Sequence, residues 1–201
     1  MKNILLRGLA GSALLLLCRP MLAAIALRIV PQNQAVSLGQ QASVLLFISG
    51  LGPANNTLGP PSLGTFDIDV QFDPTVLQYS SFTFGNQLDL AGLGRIEIVP
   101  PNLGIVNVFE LSLDSSADLD TFQLSAFALG TLTFDTIALG TSPVNLSVNA
   151  LSDANGDSLA ANITNGRIAV PEPISVVLLA TALMAILVLF RFDRLSEVKR
   201  K

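Results

Sequence analysis

Between two apolar ends, the hydrophobic positions of this chain recur with a period of two rather than 3.6. Phe66, Ile68, Val70 and Phe72 alternate with Asp67, Asp69 and Gln71, the pattern of a strand with one wet face. Val144, Leu146 and Val148 alternate with Asn145 and Ser147, and Leu132 and Phe134 with Thr131, Thr133 and Asp135. In Ala42–Ile48 both phases are apolar, as a central strand requires. Near Val108 and Phe109 the inward phase slips by one residue (Val106, Val108, then Phe109, Leu111, Leu113), which predicts a β-bulge. Turn pairs separate the runs: Leu38-Gly39, Gly52-Pro53, Pro60-Pro61, Asp73-Pro74, Pro100-Pro101, Ser142-Pro143, Asn155-Gly156 and Asn165-Gly166. About eight or nine short strands so spaced predict an all-β fold, an antiparallel β-sandwich over residues 27–169. The segment Asp118–Ala126 reads as a short helical crossover or a loop.

The two ends are of another kind. Residues 1–26 read as a signal peptide, a signal helix ahead of the sandwich. Lys2 and Arg7 open it, Leu9–Leu17 is an apolar stretch too short to span comfortably, and Ala24-Ile25-Ala26 offers an A-x-A cleavage site at Ala24 and Ala26. Arg19-Pro20 interrupts the apolar run. A lipoprotein reading would use Cys18, but Leu17 stands before it where a small residue is needed. At the other end, residues 174–190 have only Ser175 and Thr181 as polar interruptions and predict a transmembrane helix about 25 Å long, at the short limit for a bilayer. A buried core helix would leave this segment with no polar face. Arg191, Arg194, Lys199, Arg200 and Lys201 follow at once as a basic stop-transfer tail, residues 191–201, which predicts a cytoplasmic terminus and an exported domain.

Charge and composition then exclude whole classes of function. Residues 27–170 hold 12 acids against three bases (Arg28, Arg95 and Arg167), a net charge of −9. A domain so acidic, without lysine, does not suit nucleic acid, whose binding rests on cations at the phosphates. His and Trp are absent and the single Cys lies in the signal region. That removes His and Cys nucleophile–base chemistry, zinc sites built on those ligands, and disulfides. No cofactor is implied, and the core must stabilise the domain unaided.

Val170-Pro171-Glu172-Pro173, a short apolar span and an Arg-rich terminus together resemble the PEP-CTERM sorting signal, here residues 170–201 with the motif at 170–173. The resemblance implies recognition by an exosortase in the membrane, after delivery by the secretion translocon and signal peptidase. It also implies a Gram-negative bacterium, transient membrane anchoring, and a final place on the outer surface or in an extracellular matrix associated with exopolysaccharide and biofilm. Two prolines around Glu172 disfavour helix and hold the backbone extended, so a scissile segment would stand clear of domain and span. The prolines also suit a simple strand stop and helix start. The middle of the chain resembles the cohesin-like jelly rolls of the carbohydrate-binding superfamily, from about Ala35 to Val170. The resemblance is carried by Val36-Ser37-Leu38-Gly39-Gln40, by Phe66 to Leu77 with Phe82, Phe84 and Gly85 behind it, by Gly130-Thr131-Leu132-Thr133-Phe134, and by the closing Asn165 to Val170. These are core and turn positions, so they speak to fold more than to ligand.

Candidate chemistry in the sandwich is sparse. Asp153, Asn155 and Asp157 stand at positions 1, 3 and 5 of a calcium-like loop, but the glycine is at position 4 and Thr164 occupies position 12. The same residues suit a hairpin turn. Asp67, Asp69 and Asp73 would be the carboxylates of a glycosidase, yet they fall on the outward phase of a half-exposed strand. A sugar site would have to work without tryptophan and with Tyr79 as the only tyrosine. No catalytic residue is assigned. The expectation is a non-enzymatic, exported surface protein; the alternative is a binding module that recognises a polysaccharide or a surface protein through the sandwich face.

Overall fold

The computed structural model describes residues 24–52, 61–172, 179 and 181–188. Two sheets face one another. The chain first supplies β1 (Ala26–Val30), β2 (Asn33–Ala35), β3 (Gln41–Ser49), β4 (Leu63–Phe72) and β5 (Leu77–Phe84). It continues through β6 (Arg95–Ile98), β7 (Pro101–Asn102), β8 (Ile105–Ser112) and the helix α1 (Ser116–Phe122). It ends in β9 (Ala126–Thr136), β10 (Gly140–Asp153), β11 (Asn162–Thr164) and β12 (Gly166–Val170). One sheet has the order β11-β1-β3-β9-β5; the other runs β2-β12-β10-β4-β8-β6, with β7 also paired to β8.

The period-two positions are the ones that close the core. Ala42, Val44, Leu46 and Ile48 of β3 and Phe66, Ile68, Val70 and Phe72 of β4 are buried, as are Leu132, Phe134 and Val144. Each large apolar side chain so enclosed contributes roughly 2–3 kcal/mol against exposure. Phe72 and Phe134 pack across the layers with ring centroids 4.9 Å apart. β3 lies between β1 and β9, the central place its two apolar phases predicted. The expected short helix is α1, capped by Ser115, whose Oγ accepts the Asp118 N–H.

Two expectations need correction. The ladder between β4 and β8 runs without a shift from Thr65–Leu111 to Gln71–Ile105, so β8 has no bulge near Val108 and Phe109. Its inward residues are Val106, Val108 and Glu110, while Phe109 and Leu111 turn to the outer face. The apolar pair invited a phase slip because a buried glutamate was not allowed for. The slip occurs in β10 instead, between Val148 and Ala150, and moves the inward phase to Leu151 and Asp153. The sandwich is also not wholly antiparallel. β1 pairs with β11, and β2 with β12, in parallel, because the first and last segments run side by side in one direction.

At the ends, Ala26 is already the first residue of β1, paired with Ser49 and Asn162. Residues 1–23, holding most of the expected signal peptide, lie outside the described residues. Residues 181–188 are helical and exposed; no helix of the described residues is long and apolar enough to cross a membrane.

Candidate interaction surface

The outer faces of the two sheets differ in chemistry. On the five-stranded sheet, Ser43 and Thr133 hydroxyls lie 3.2 Å apart, Gln41 Nε2 donates to Asp135 Oδ1, and the Arg28 guanidinium stands 5.0 Å from the Phe47 ring centre. These groups satisfy one another at a wet surface. On the other sheet, register places Ile98 beside Phe109 and Phe109 beside Asp67. The next row sets Ile96 beside Leu111 and Leu111 beside Thr65. Ile96 is 44 % and Ile98 51 % exposed, and Leu113 beyond them is 50 % exposed. The result is an apolar stripe along the edge strand β6 and its neighbour.

An acidic, amide-rich strip borders it. Asn107 Nδ2 donates to Asp67 Oδ1 at 2.5 Å and to Asp69 Oδ1 at 2.8 Å, and Asn149 Nδ2 donates to Asp67 at 3.2 Å. These bonds fix the carboxylates as a flat rim. A cavity of about 430 Å³ lies away from them, lined by Phe72, Pro74, Leu77, Tyr79, Leu103 and Ile137 among others. Burial raises the Tyr79 hydroxyl above its ordinary value. Asp73 lies apart, its Oδ1 accepting the Thr75 N–H and hydroxyl at 2.8 and 2.6 Å, bonds that hold its carboxyl below the usual range.

β6 is positioned from the loop ahead of it. Asp114 accepts the N–H groups of Leu90, Ala91 and Leu93 at 2.5, 3.0 and 3.3 Å, and Asp89 accepts that of Gly94 at 2.9 Å. Gly92 and Gly94 have φ of +73° and +97°, a turn that side chains resist. Arg95 then enters β6 with Nη1 donating to Gly85 O at 2.5 Å and Nε 2.5 Å from Glu97 Oε1. Beneath the strand lies Glu110, 1 % exposed, its Oε1 3.4 Å from Arg95 Nε yet without a hydrogen bond. The Arg95 N–H is committed to Glu97, so the contact with Glu110 is coulombic only. Burial pushes the Glu110 carboxyl up to about 7, against the pull of Arg95 and with the added push of Glu97 and Asp89.

The residues singled out in the sequence are dispersed. Asp153 Oδ1 accepts the N–H groups of Asn155 and Asp157 at 2.8 and 2.9 Å, the bonds of a tight turn. Among the described residues no group of three or more His, Cys, Asp or Glu side chains is placed to hold a metal ion. Val170 ends β12, 1 % exposed and paired with Gly140, and Pro171 and Glu172 emerge exposed beyond it. Ala24 is exposed ahead of β1. Pro173, Arg191, Arg194, Lys199, Arg200 and Lys201 lie outside the described residues. Sequence reasoning passed over Glu110, Arg95 and the Ile96–Ile98 stripe; a glutamate in phase with Val106 and Val108 was the available signal.

No family model and no curated protein matches the sequence. Solved structures do resemble the fold. The sixth cohesin of Acetivibrio cellulolyticus scaffoldin B, solved with a Cel5 dockerin, is 20% identical at a TM-score of 0.58, with 73% of this chain and 99% of that one covered. The cohesin of the Coh-OlpA–Doc918 complex from Clostridium thermocellum is 14% identical at 0.57, covering 73% and 99%. A non-cellulosomal cohesin from Archaeoglobus fulgidus is 14% identical at 0.55, covering 75% and 93%. The sandwich of this chain therefore has the cohesin fold.

Proposed function

We propose that this chain is a non-enzymatic protein-recognition module, carried on an exported polypeptide, that docks a partner protein on the outer face of β10, β4, β8 and β6. The apolar stripe of Ile96, Ile98, Phe109 and Leu111 carries the reading: an ordered sheet face with apolar residues half open to water is an interaction surface in search of cover. The Asp67–Asp69 rim and the acidity of the domain call for a partner with an apolar ridge flanked by basic or amide donors. Two of the cohesins it resembles were solved in complex with dockerins, which favours a protein over a saccharide as ligand. Photocrosslinking from position 109 of the full chain on cells, with position 43 on the opposite face as control, tests this. A partner captured at 109 alone and lost in Ile98→Asp supports it. Equal capture at both positions, or a glycan array that binds while Ile98→Asp leaves binding intact, overturns it.

For delivery we propose exosortase sorting to the cell surface or extracellular matrix, with transient anchoring by residues 174–190. Pro171 and Glu172 emerging exposed behind the buried Val170 favour it, since a processing enzyme needs reachable chain. Replacing Pro171, Glu172 and Pro173 by Ala is expected to abolish processing; unchanged processing would leave only a plain anchor.

A further inference from the structure

The inward phase of β8 ends on a residue that does not belong in a core. Glu110 follows Val106 and Val108 into the interior, lies opposite Phe66 on β4 and opposite Glu97 on β6, and is 1 % exposed. Phe66 in turn packs toward Phe84 of the facing sheet, with ring centroids 6.4 Å apart. The charged groups that act on Glu110 are Arg95 and Glu97 of β6 and Asp89 of the loop before it; its β4 neighbour is uncharged. One guanidinium thus serves two carboxylates, and its Nε–H is spent on the exposed one. A neutral Glu110 asks little of this arrangement. An ionised one is a buried charge whose Oε1 has no hydrogen-bond partner, directly opposite a like charge, and interiors do not tolerate that without yielding.

What yields is set by topology. β4 and β8 are held on both sides, whereas β6 is an edge strand with a single ladder, four residues long, to β8. We propose that Glu110 is a proton-operated latch: protonated, it lets β6 seat on β8, and ionised, it loosens β6 and with it Ile96 and Ile98. Water then reaches the carboxylate at the cost of the outermost ladder alone. The consequence for partner docking rests on the function proposed above; the latch itself does not. A partner that covers β6 holds the seated form, so docking takes up a proton near neutrality and is favoured in mildly acidic surroundings.

Hydrogen exchange on the full chain without partner tests the latch, comparing about pH 5.5 with about pH 8.5 after correction for intrinsic rates. Protection of the β6 amides is expected to fall by roughly tenfold or more over that range, while β3 and β4 amides hold. Glu110→Gln is expected to remove the fall and keep β6 protected throughout. Glu97→Gln, at a half-exposed site, is expected to weaken the fall by freeing Arg95 for Glu110. Flat protection in the unaltered chain, or a fall that both variants retain, overturns the latch. Crosslinking from position 109 in the same variants separates the two ideas: a latch without a captured partner leaves the latch standing and refutes the docking face.

Discussion

Gln123 ends α1 and is 2 % exposed, and replacing it should cost more than any surface change of equal size. Its Oε1 accepts the Leu63 N–H at 2.6 Å, and its Nε2 donates to Leu63 O at 2.9 Å and to Gln87 O at 3.0 Å. One side chain therefore satisfies both backbone groups of a residue that is 0 % exposed, and ties the start of β4 to the loop leading to β6. Gln123→Leu keeps the volume and removes all three bonds. Each buried group left unpaired costs about 1–3 kcal/mol, and the added apolar contact returns a part of it, so a net loss of roughly 3 kcal/mol is expected. That is a large share of the roughly 5–15 kcal/mol available to a domain. With a urea slope of about 2 kcal/mol/M the unfolding midpoint should drop by about 1.5 M at unchanged slope. Gln123→Glu retains the acceptor but loses both donors and buries a carboxylate, so it should be worse at neutral pH than in acid. A loss below about 1 kcal/mol for Gln123→Leu would refute the argument, because water or a backbone shift would then be replacing the bonds at little cost.

Gly130→Ala should destabilise by about 1–3 kcal/mol, because its Cβ would stand 2.3 Å from Phe82 Cζ and 2.7 Å from Thr83 O. Urea unfolding measures the loss, and a change in near-ultraviolet circular dichroism should report the displaced Phe82. Arg28→Ala should cost roughly 0.5–1 kcal/mol through the lost contact with Phe47, and Arg28→Lys should recover part of it. Thr75→Ala should raise the Asp73 carboxyl toward its ordinary value in an NMR titration, since the hydroxyl is the main group lowering it. The stability this depressed carboxyl contributes is present at neutral pH and fades as pH falls through its own titration, so the variant should be less stable at neutral pH and lose less of its stability in acid.

The periodicity of Phe66–Phe72, Ala42–Ile48 and Leu132–Phe134 was enough to dictate strands and the faces they bury, because alternation is a local property and a one-residue slip would wet the core. The absence of His and of any Cys beyond Cys18 likewise removed whole chemistries before any fold was known. Partnering was not local. Which apolar residues stay open to water depends on which strands lie at the edge: Ile96 and Ile98, passed over in the sequence, lie on the outward phase of β6 beside Leu111 and Phe109, and a strand with a neighbour on one side only leaves them half open. Gln123 looked like an ordinary polar residue at a helix end until the fold brought Leu63 to it, 60 positions away. Glu110 shows the boundary most directly. It stands in phase with Val106 and Val108, yet the expected bulge turned it outward, and only the unbroken β4–β8 ladder showed that a carboxyl sits inside, raised toward neutrality by its surroundings.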